Sequence, residues 1–217
     1  MIKGINFDCD GTLVDSELLF NRALSLKLAE RGVEISASQL VSRFRGAKLA
    51  EVLTTIEQEH AIHLNDGFVQ QYRNMVARFF ADELQPCEGV KDTLKEINLP
   101  MTVVSNGPLE KIQMALKITG LDGFFGNYLF SAYEIGVWKP NPGLFLYASQ
   151  KMGLRADQCL VVEDSIVGIE GALAANMHAI LYDPKGEHTN YYHNADERFK
   201  EKVIRVQHFT EILQLIH

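Results

Sequence analysis

Two aspartates stand two residues apart in "INFDCDGTLVDSE" (5–17), where an apolar run meets a glycine. In an extended chain residues i and i+2 share a face, so Asp8 and Asp10 start out aimed together while Cys9 points away. Gly11 lets the backbone turn sharply and bares its peptide groups. Two close carboxylates cannot both ionise cheaply unless a cation or a proton lies between them. Such a pair suits a divalent, oxygen-preferring ion such as Mg²⁺. It also suits a division of labour, one carboxylate acting as nucleophile and its neighbour as acid and base. Taken alone, a turn at Asp10-Gly11 with a cap at Asp8 is the lesser alternative.

Three later stretches add chemistry at the ends of apolar runs. In "VVSNGP" the hydroxyl of Ser105 and the amide of Asn106 lead into a helix, which makes a seat for an anion. Ser105 would otherwise be an ordinary N-cap. In "GVWKPNP" Lys139 is followed by two prolines, a rigid setting that could hold an ammonium against a phosphate. In "CLVVEDS" the adjacent Glu163 and Asp164 invite a cation, although Asp164 could instead cap the helix that follows. Each stretch has a bland explanation by itself. Together they call for a ligand that carries both phosphate and metal.

The elements that must position these residues are short and apolar. "IKGINF" (2–7), "MTVVS" (101–105), "YLFS" (128–131), "CLVVE" (159–163) and "HAILY" (178–182) lack polar alternation, as strands buried on both faces of a parallel sheet do. Amphipathic stretches separate several of them: "PLEKIQMALKITG", "PGLFLYASQKMG" and "SIVGIEGALAAN". Gly120 and Gly153 close the first two as C′ glycines. The alternation predicts an α/β fold with a doubly wound parallel sheet. From 184 onward a surface loop, a short strand "KVIRV" and a closing helix are expected.

The stretch between the first two strands is too long for one crossover. It holds three further helical patterns, "SELLFNRALSLKLAERG", "AKLAEVLTTIEQEHA" and "GFVQQYRNMVARFFADEL". The expected organisation is therefore a core of residues 1–15 and 85–217 with an inserted α-helical cap at 16–84. Hinges are expected near Val14–Ser16 and Glu83–Cys87. The insertion point follows the aspartate pair, at the strand ends where open α/β sheets bind ligands.

A net charge of −7 over 217 residues argues against a nucleic-acid partner, which needs clustered Lys and Arg. No apolar run approaches the roughly 20 residues that span a bilayer, and "MIKGINFDCDG" does not read as a signal peptide. The expectation is a cytoplasmic monomer acting on a small molecule, with no membrane partner. The three cysteines are scattered, and Cys9 and Cys159 read as small core residues. None of the histidines has metal-ligand spacing.

"DCDGT" from Asp8, Ser105, the "KPNP" of Lys139 and "ED" at 163–164 fall in the order of the four motifs of the haloacid dehalogenase superfamily of phosphatases. The chain resembles that family over essentially its whole length, and the helical insert resembles the cap of the β-phosphoglucomutase-like branch. The resemblance implies a Rossmann-like core and a Mg²⁺ cofactor. It implies that Asp8 attacks phosphorus to form an aspartyl-phosphate, and that Asp10 protonates the leaving alcohol and then activates water. It further implies that Ser105 and Lys139 hold the phosphoryl oxygens. Asp8, the main-chain carbonyl of Asp10 and Asp164 would bind the metal, with Glu163 in or just behind that set. Gly11, Thr12, Asn106 and Gly107 are expected to line the substrate phosphate.

Within the insert, "VSRFRGAKLAEVL" (41–53) gathers Arg43, Arg45 and Lys48 in an otherwise acidic chain. This corner resembles the family's specificity loop, and a charge cluster is also what a solvated face looks like. Read functionally, Arg45 and Lys48 would meet an anionic leaving group. "FRGAKLAEVL", "VVSNGP" and "WKPNP" together look closest to bacterial 6-phosphogluconate phosphatases. A phosphosugar mutase is the alternative, but that group tends to carry a histidine at the position of Phe20 and to lack Thr12. A receiver-type phospho-switch shares the acidic pair, Ser/Thr and Lys, yet is about half as long and has no acid two residues past the phosphorylated aspartate.

Overall fold

The computed structural model describes residues 1–44 and 47–216, with Asp66 described by its backbone alone. Six strands form one parallel sheet: β1 (Gly4–Phe7), β2 (Met101–Ser105), β3 (Leu129–Ser131), β4 (Cys159–Glu163), β5 (His178–Tyr182) and β6 (Val203–Val206). Their order across the sheet is β3-β2-β1-β4-β5-β6. That is a doubly wound order, and it reverses between β1 and β4, so the crevice for a ligand opens at the carboxyl ends of these two strands. Ile5 to Phe7 lie beside Leu160 to Val162, and the Asp8 N–H extends the ladder to the Val162 carbonyl at 2.9 Å. Asp8 and Glu163 therefore leave adjacent strands at the same level.

The central strands are apolar throughout because both faces are covered. On one face Val104, Val161, Ala179 and Leu181 join Leu144, Phe145, Ile169 and Ala172 from the helices Gly143–Lys151 and Ile166–Ala174. By the period of two, Phe7 and Val162 belong to the other face, where the Phe7 ring meets Phe125 at 6.1 Å and Phe209 at 6.0 Å. Cys9 and Cys159 are fully buried in this core. Gly120 (φ 68°) and Gly153 (φ 70°) terminate their helices in the left-handed region, which a side chain would strain.

The chain divides into two compact units, Met1–Val14 with Pro86–His217, and Asp15–Gln85. Val14 and Pro86 pair as an antiparallel bridge inside the larger unit, so the exit and return of the chain lie side by side. The smaller unit consists of the helices Glu17–Ala29, Ala37–Phe44, Leu49–His60 and Asp66–Glu83. They enclose Leu24, Leu28, Leu40, Ile56, Phe68 and Phe80. Asn65 caps the last of them by accepting from the Phe68 N–H at 3.1 Å. Phe20 packs its ring against Phe80 at 5.2 Å.

Several expectations about local structure need correction, β3 and β6 each beginning one residue later than expected. β1 begins at Gly4 rather than at residue 2, with Lys3 bonded through its N–H to the Gln158 carbonyl just outside the ladder. The expected surface loop after 184 carries two short helices, Thr189–Asn194 and Glu197–Lys200. No apolar period announces them. They are held by side-chain bonds to nearby backbone: Asp183 accepts from the N–H groups of Glu187 (2.8 Å) and His188 (3.1 Å) just before the first, whose Tyr192 hydroxyl donates to the Val203 carbonyl at 3.1 Å, and Asp196 caps the second by accepting from the Phe199 N–H at 2.8 Å. No helix among the described residues is long and apolar enough to cross a membrane.

Candidate active site

The geometry centres on Lys139. Its ammonium donates to Asp8 Oδ1 at 2.6 Å and to Glu163 Oε1 at 2.5 Å, with the lysine side chain only 3% exposed. Two features place it there. Asn106 brackets the lysine main chain, its Oδ1 accepting from the Lys139 N–H at 2.8 Å and its Nδ2 donating to the Lys139 carbonyl at 3.3 Å. The side chain then runs over the ring of Phe145, with Nζ 5.1 Å from the centroid.

Glu163 is fixed at its other oxygen, where Oε2 accepts from the N–H (3.0 Å) and hydroxyl (2.8 Å) of Ser165. Its carboxylate lies across Gly168, where a Cβ would come within 1.9 Å of Oε1. Ser165 is also the N-cap of the following helix, accepting from the Gly168 N–H at 3.1 Å. The capping role open to Asp164 in the sequence thus falls to its neighbour. Asp164 instead turns toward β1, its Oδ1 accepting from the Thr12 hydroxyl at 3.1 Å. Gly11 (φ 79°) makes room for it, since a Cβ there would stand 2.2 Å from Asp164 Oδ2.

Carboxylate oxygens of Asp8, Glu163 and Asp164 lie within 4.8 Å of one another. Lys139 pairs with two of these acids, Asp8 and Glu163, so the cluster is richer in carboxylate than in the ammonium that serves it. A hard divalent cation matches this all-oxygen donor set. Burial pushes the Asp8 carboxyl up to about 7, with Lys139 opposing and Glu163 and Asp10 adding to the rise. Lys139 is held above its ordinary value: burial disfavours the ammonium, but Asp8 and Glu163 outweigh it.

Ser105 ends β2, and its Oγ accepts from the Gly107 N–H at 3.0 Å, while the Gly107 carbonyl accepts from Ser131 Oγ at 2.7 Å. Asp10 pairs with Lys111, a residue that the sequence presented only as one polar position of an amphipathic helix.

The larger unit thus brings together Asp8, Asp10, Gly11, Thr12, Ser105, Asn106, Gly107, Lys139, Glu163 and Asp164. The Thr12 hydroxyl and the Asn106 amide are already used, on Asp164 and on Lys139. In the smaller unit Lys48 is exposed before the helix Leu49–His60, Arg43 is bonded to Glu59 at 2.7 Å, and Arg45 lies outside the described residues. Sequence reasoning missed Lys111, Ser165 and Gly168. Of these only Ser165 carries a local signal, since serine directly before a helical pattern is a preferred N-cap.

A sequence profile described as haloacid dehalogenase-like hydrolase matches residues 2–176. The chain belongs to the haloacid dehalogenase-like hydrolases. The 6-phosphogluconate phosphatase of Escherichia coli K12 is 37% identical over 182 residues, covering 83% of this chain and 82% of that protein. The phosphoglycolate phosphatase of Yersinia pestis is 31% identical over 191 residues, covering 82% and 80%. Among solved structures, a haloacid dehalogenase-like protein of unknown function from Agrobacterium tumefaciens superposes with a TM-score of 0.85 at 28% identity, covering 100% of this chain and 98% of that one. As a haloacid dehalogenase-like hydrolase with phosphatase relatives, the protein is a phosphoric monoester hydrolase.

Proposed function

We propose that the protein hydrolyses a small sugar phosphate or sugar acid phosphate, such as 6-phosphogluconate, through an aspartyl-phosphate on Asp8 with Mg²⁺ as cofactor. The observation that carries this reading is Lys139 bridging Asp8 and Glu163 beside Asp164 at the switch point of the sheet.

Asp8 attacks phosphorus as the ester P–O bond breaks, and Asp10 gives its proton to the departing oxygen. Water then attacks the phospho-aspartate, Asp10 takes its proton, and phosphate leaves. Ser105 and Lys139 hold phosphoryl oxygens through both steps, because phosphoryl transfer depends on positioning and charge stabilisation more than on covalent help. Asp8, the Asp10 carbonyl and Asp164 would hold Mg²⁺, while Glu163, with both oxygens engaged, orients Lys139. Bound there, the ion would neutralise charge gathered between the nucleophile and the phosphoryl group. The Asp15–Gln85 unit is read as a cap that closes over the leaving group and excludes water.

The choice of a sugar acid phosphate rests on the basic stretch 41–53 and on the Escherichia coli relative. The test is phosphate release from a panel of sugar and sugar acid phosphates, with Mg²⁺ or EDTA, for wild type and Asp8→Asn. Release that needs Mg²⁺, peaks with 6-phosphogluconate and vanishes in the variant is expected. Equal rates on neutral sugar phosphates would remove the carboxylate preference assigned to Arg45 and Lys48. Full activity of Asp8→Asn would overturn the mechanism.

A further inference from the structure

Lys111 belongs to none of the motifs that point to the chemistry, yet its ammonium pairs with the carboxylate of Asp10 at Oδ2. It stands in the first turn of the helix Leu109–Thr119 and reaches back across the β2 loop. Gly107 permits that path. A Cβ on Gly107 would sit 3.0 Å from Lys111 Nζ, 3.1 Å from its Cε and 3.3 Å from Ser105 Oγ. The amine therefore passes directly over the glycine, beside the hydroxyl read as a phosphoryl seat. The lysine side chain is 20% exposed and that of Asp10 26%, so the pair is sheltered but within reach of a bound ester.

We propose that Lys111 is the positioning residue of the acid/base step: it holds Asp10 by one oxygen and so fixes the orientation of its carboxyl group. The inference rests on the role given to Asp10 in the proposed function. In the first step the ester P–O bond breaks, the Asp8–P bond forms, and the proton passes from Asp10 to the leaving oxygen. A carboxyl held in one orientation transfers its proton without first having to be aligned. In the second step the same contact fixes the carboxylate that takes a proton from water.

The proposal separates substrates by leaving group. An alkoxide must be protonated as it departs, whereas a nitrophenolate departs without help. For Lys111→Met, kcat/KM is expected to fall about tenfold to a hundredfold on the most active alkyl phosphate of the panel, less than the roughly 10²–10⁴-fold of a whole general acid because Asp10 itself remains. On p-nitrophenyl phosphate, kcat/KM is expected to stay within about twofold, because that ratio reports steps up to loss of the phenolate. Lys111→Arg, which keeps a cation beside Asp10, is expected to recover most of the loss. Equal losses on both substrates would mean a merely structural lysine and would overturn the proposal, as would no loss on either. Asp10→Asn serves as the reference. If it shows the leaving-group discrimination and Lys111→Met does not, the inference fails while the mechanism stands. If Asp10→Asn itself discriminates nothing, the role of Asp10 fails first.

Discussion

Replacing the nucleophile should stabilise the metal-free fold, and the size of the effect follows from the geometry. Asp8 is 8% exposed and shares its lysine with Glu163, while Asp164 adds a third carboxylate within 4.8 Å. Its carboxyl stands at about 7 against the ordinary 3.8, first through burial, opposed by Lys139 and reinforced by Glu163 and Asp10. A folded pKa raised above the unfolded one means that the stability linked to this group is complete below pH 3.8 and is lost as pH rises through about 7. At 1.36 kcal/mol per pH unit the full loss is about 4 kcal/mol. The amide of the Asp8→Asn variant carries no charge and escapes that loss, while Glu163 remains to pair with Lys139. At about 2–4 °C per kcal/mol for a chain of this size, Asp8→Asn should raise Tm by on the order of 10 °C near pH 8 in EDTA. Near pH 5 the advantage should shrink to less than half, since there only about 1.5 kcal/mol of the penalty has developed. Differential scanning calorimetry of both proteins at the two pH values is the assay. Mg²⁺ should stabilise the wild type and narrow the gap near pH 8. A variant no more stable than wild type near pH 8 in EDTA would show that the bond to Lys139 outweighs burial and refute the reasoning.

Other positions give sharper single outcomes. Gly11→Ala should abolish Mg²⁺-dependent activity, because its Cβ would meet Asp164 Oδ2 at 2.2 Å from a left-handed backbone, and Mg²⁺ titration by calorimetry should show binding weakened at least tenfold. Unchanged affinity would mean that Asp164 moves aside freely or binds no metal. Asn106→Ala should lower kcat through a loosened Lys139 backbone while leaving KM within about twofold. A rise in KM alone would instead make the amide a substrate contact. Phe7→Ala should cost about 3–5 kcal/mol in urea unfolding, since its ring is fully buried between Phe125 and Phe209.

Local pattern along the chain was enough to define most of the sheet and to mark carboxylates, a hydroxyl and a lysine at the ends of its strands, while the roles given to them came from the family resemblance. Short apolar runs without alternation, rich in β-branched and aromatic residues, read as strands covered on both faces, and β2, β4 and β5 were legible to the residue for that reason. Asp8, Ser105, Lys139 and Glu163 were legible for a related reason, since each lies at or near the end of such a run or against a proline, where local rules are strong. Which of these residues touch was decided only in three dimensions. Nothing in "WKPNP" shows that Lys139 joins Asp8 to Glu163, or that Asn106 bonds the lysine backbone rather than a ligand. Gly168 looked like any glycine in a helix until Glu163 was found lying across it. Lys111 looked like surface because its partner is 101 residues away, and a contact that long has no local signature. The two short helices after 184 were missed for a different reason: they are held by single side-chain bonds from Asp183, Tyr192 and Asp196 rather than by an apolar period. A local pattern fixes which way a side chain starts out. What it meets depends on how strands far apart in sequence are brought side by side.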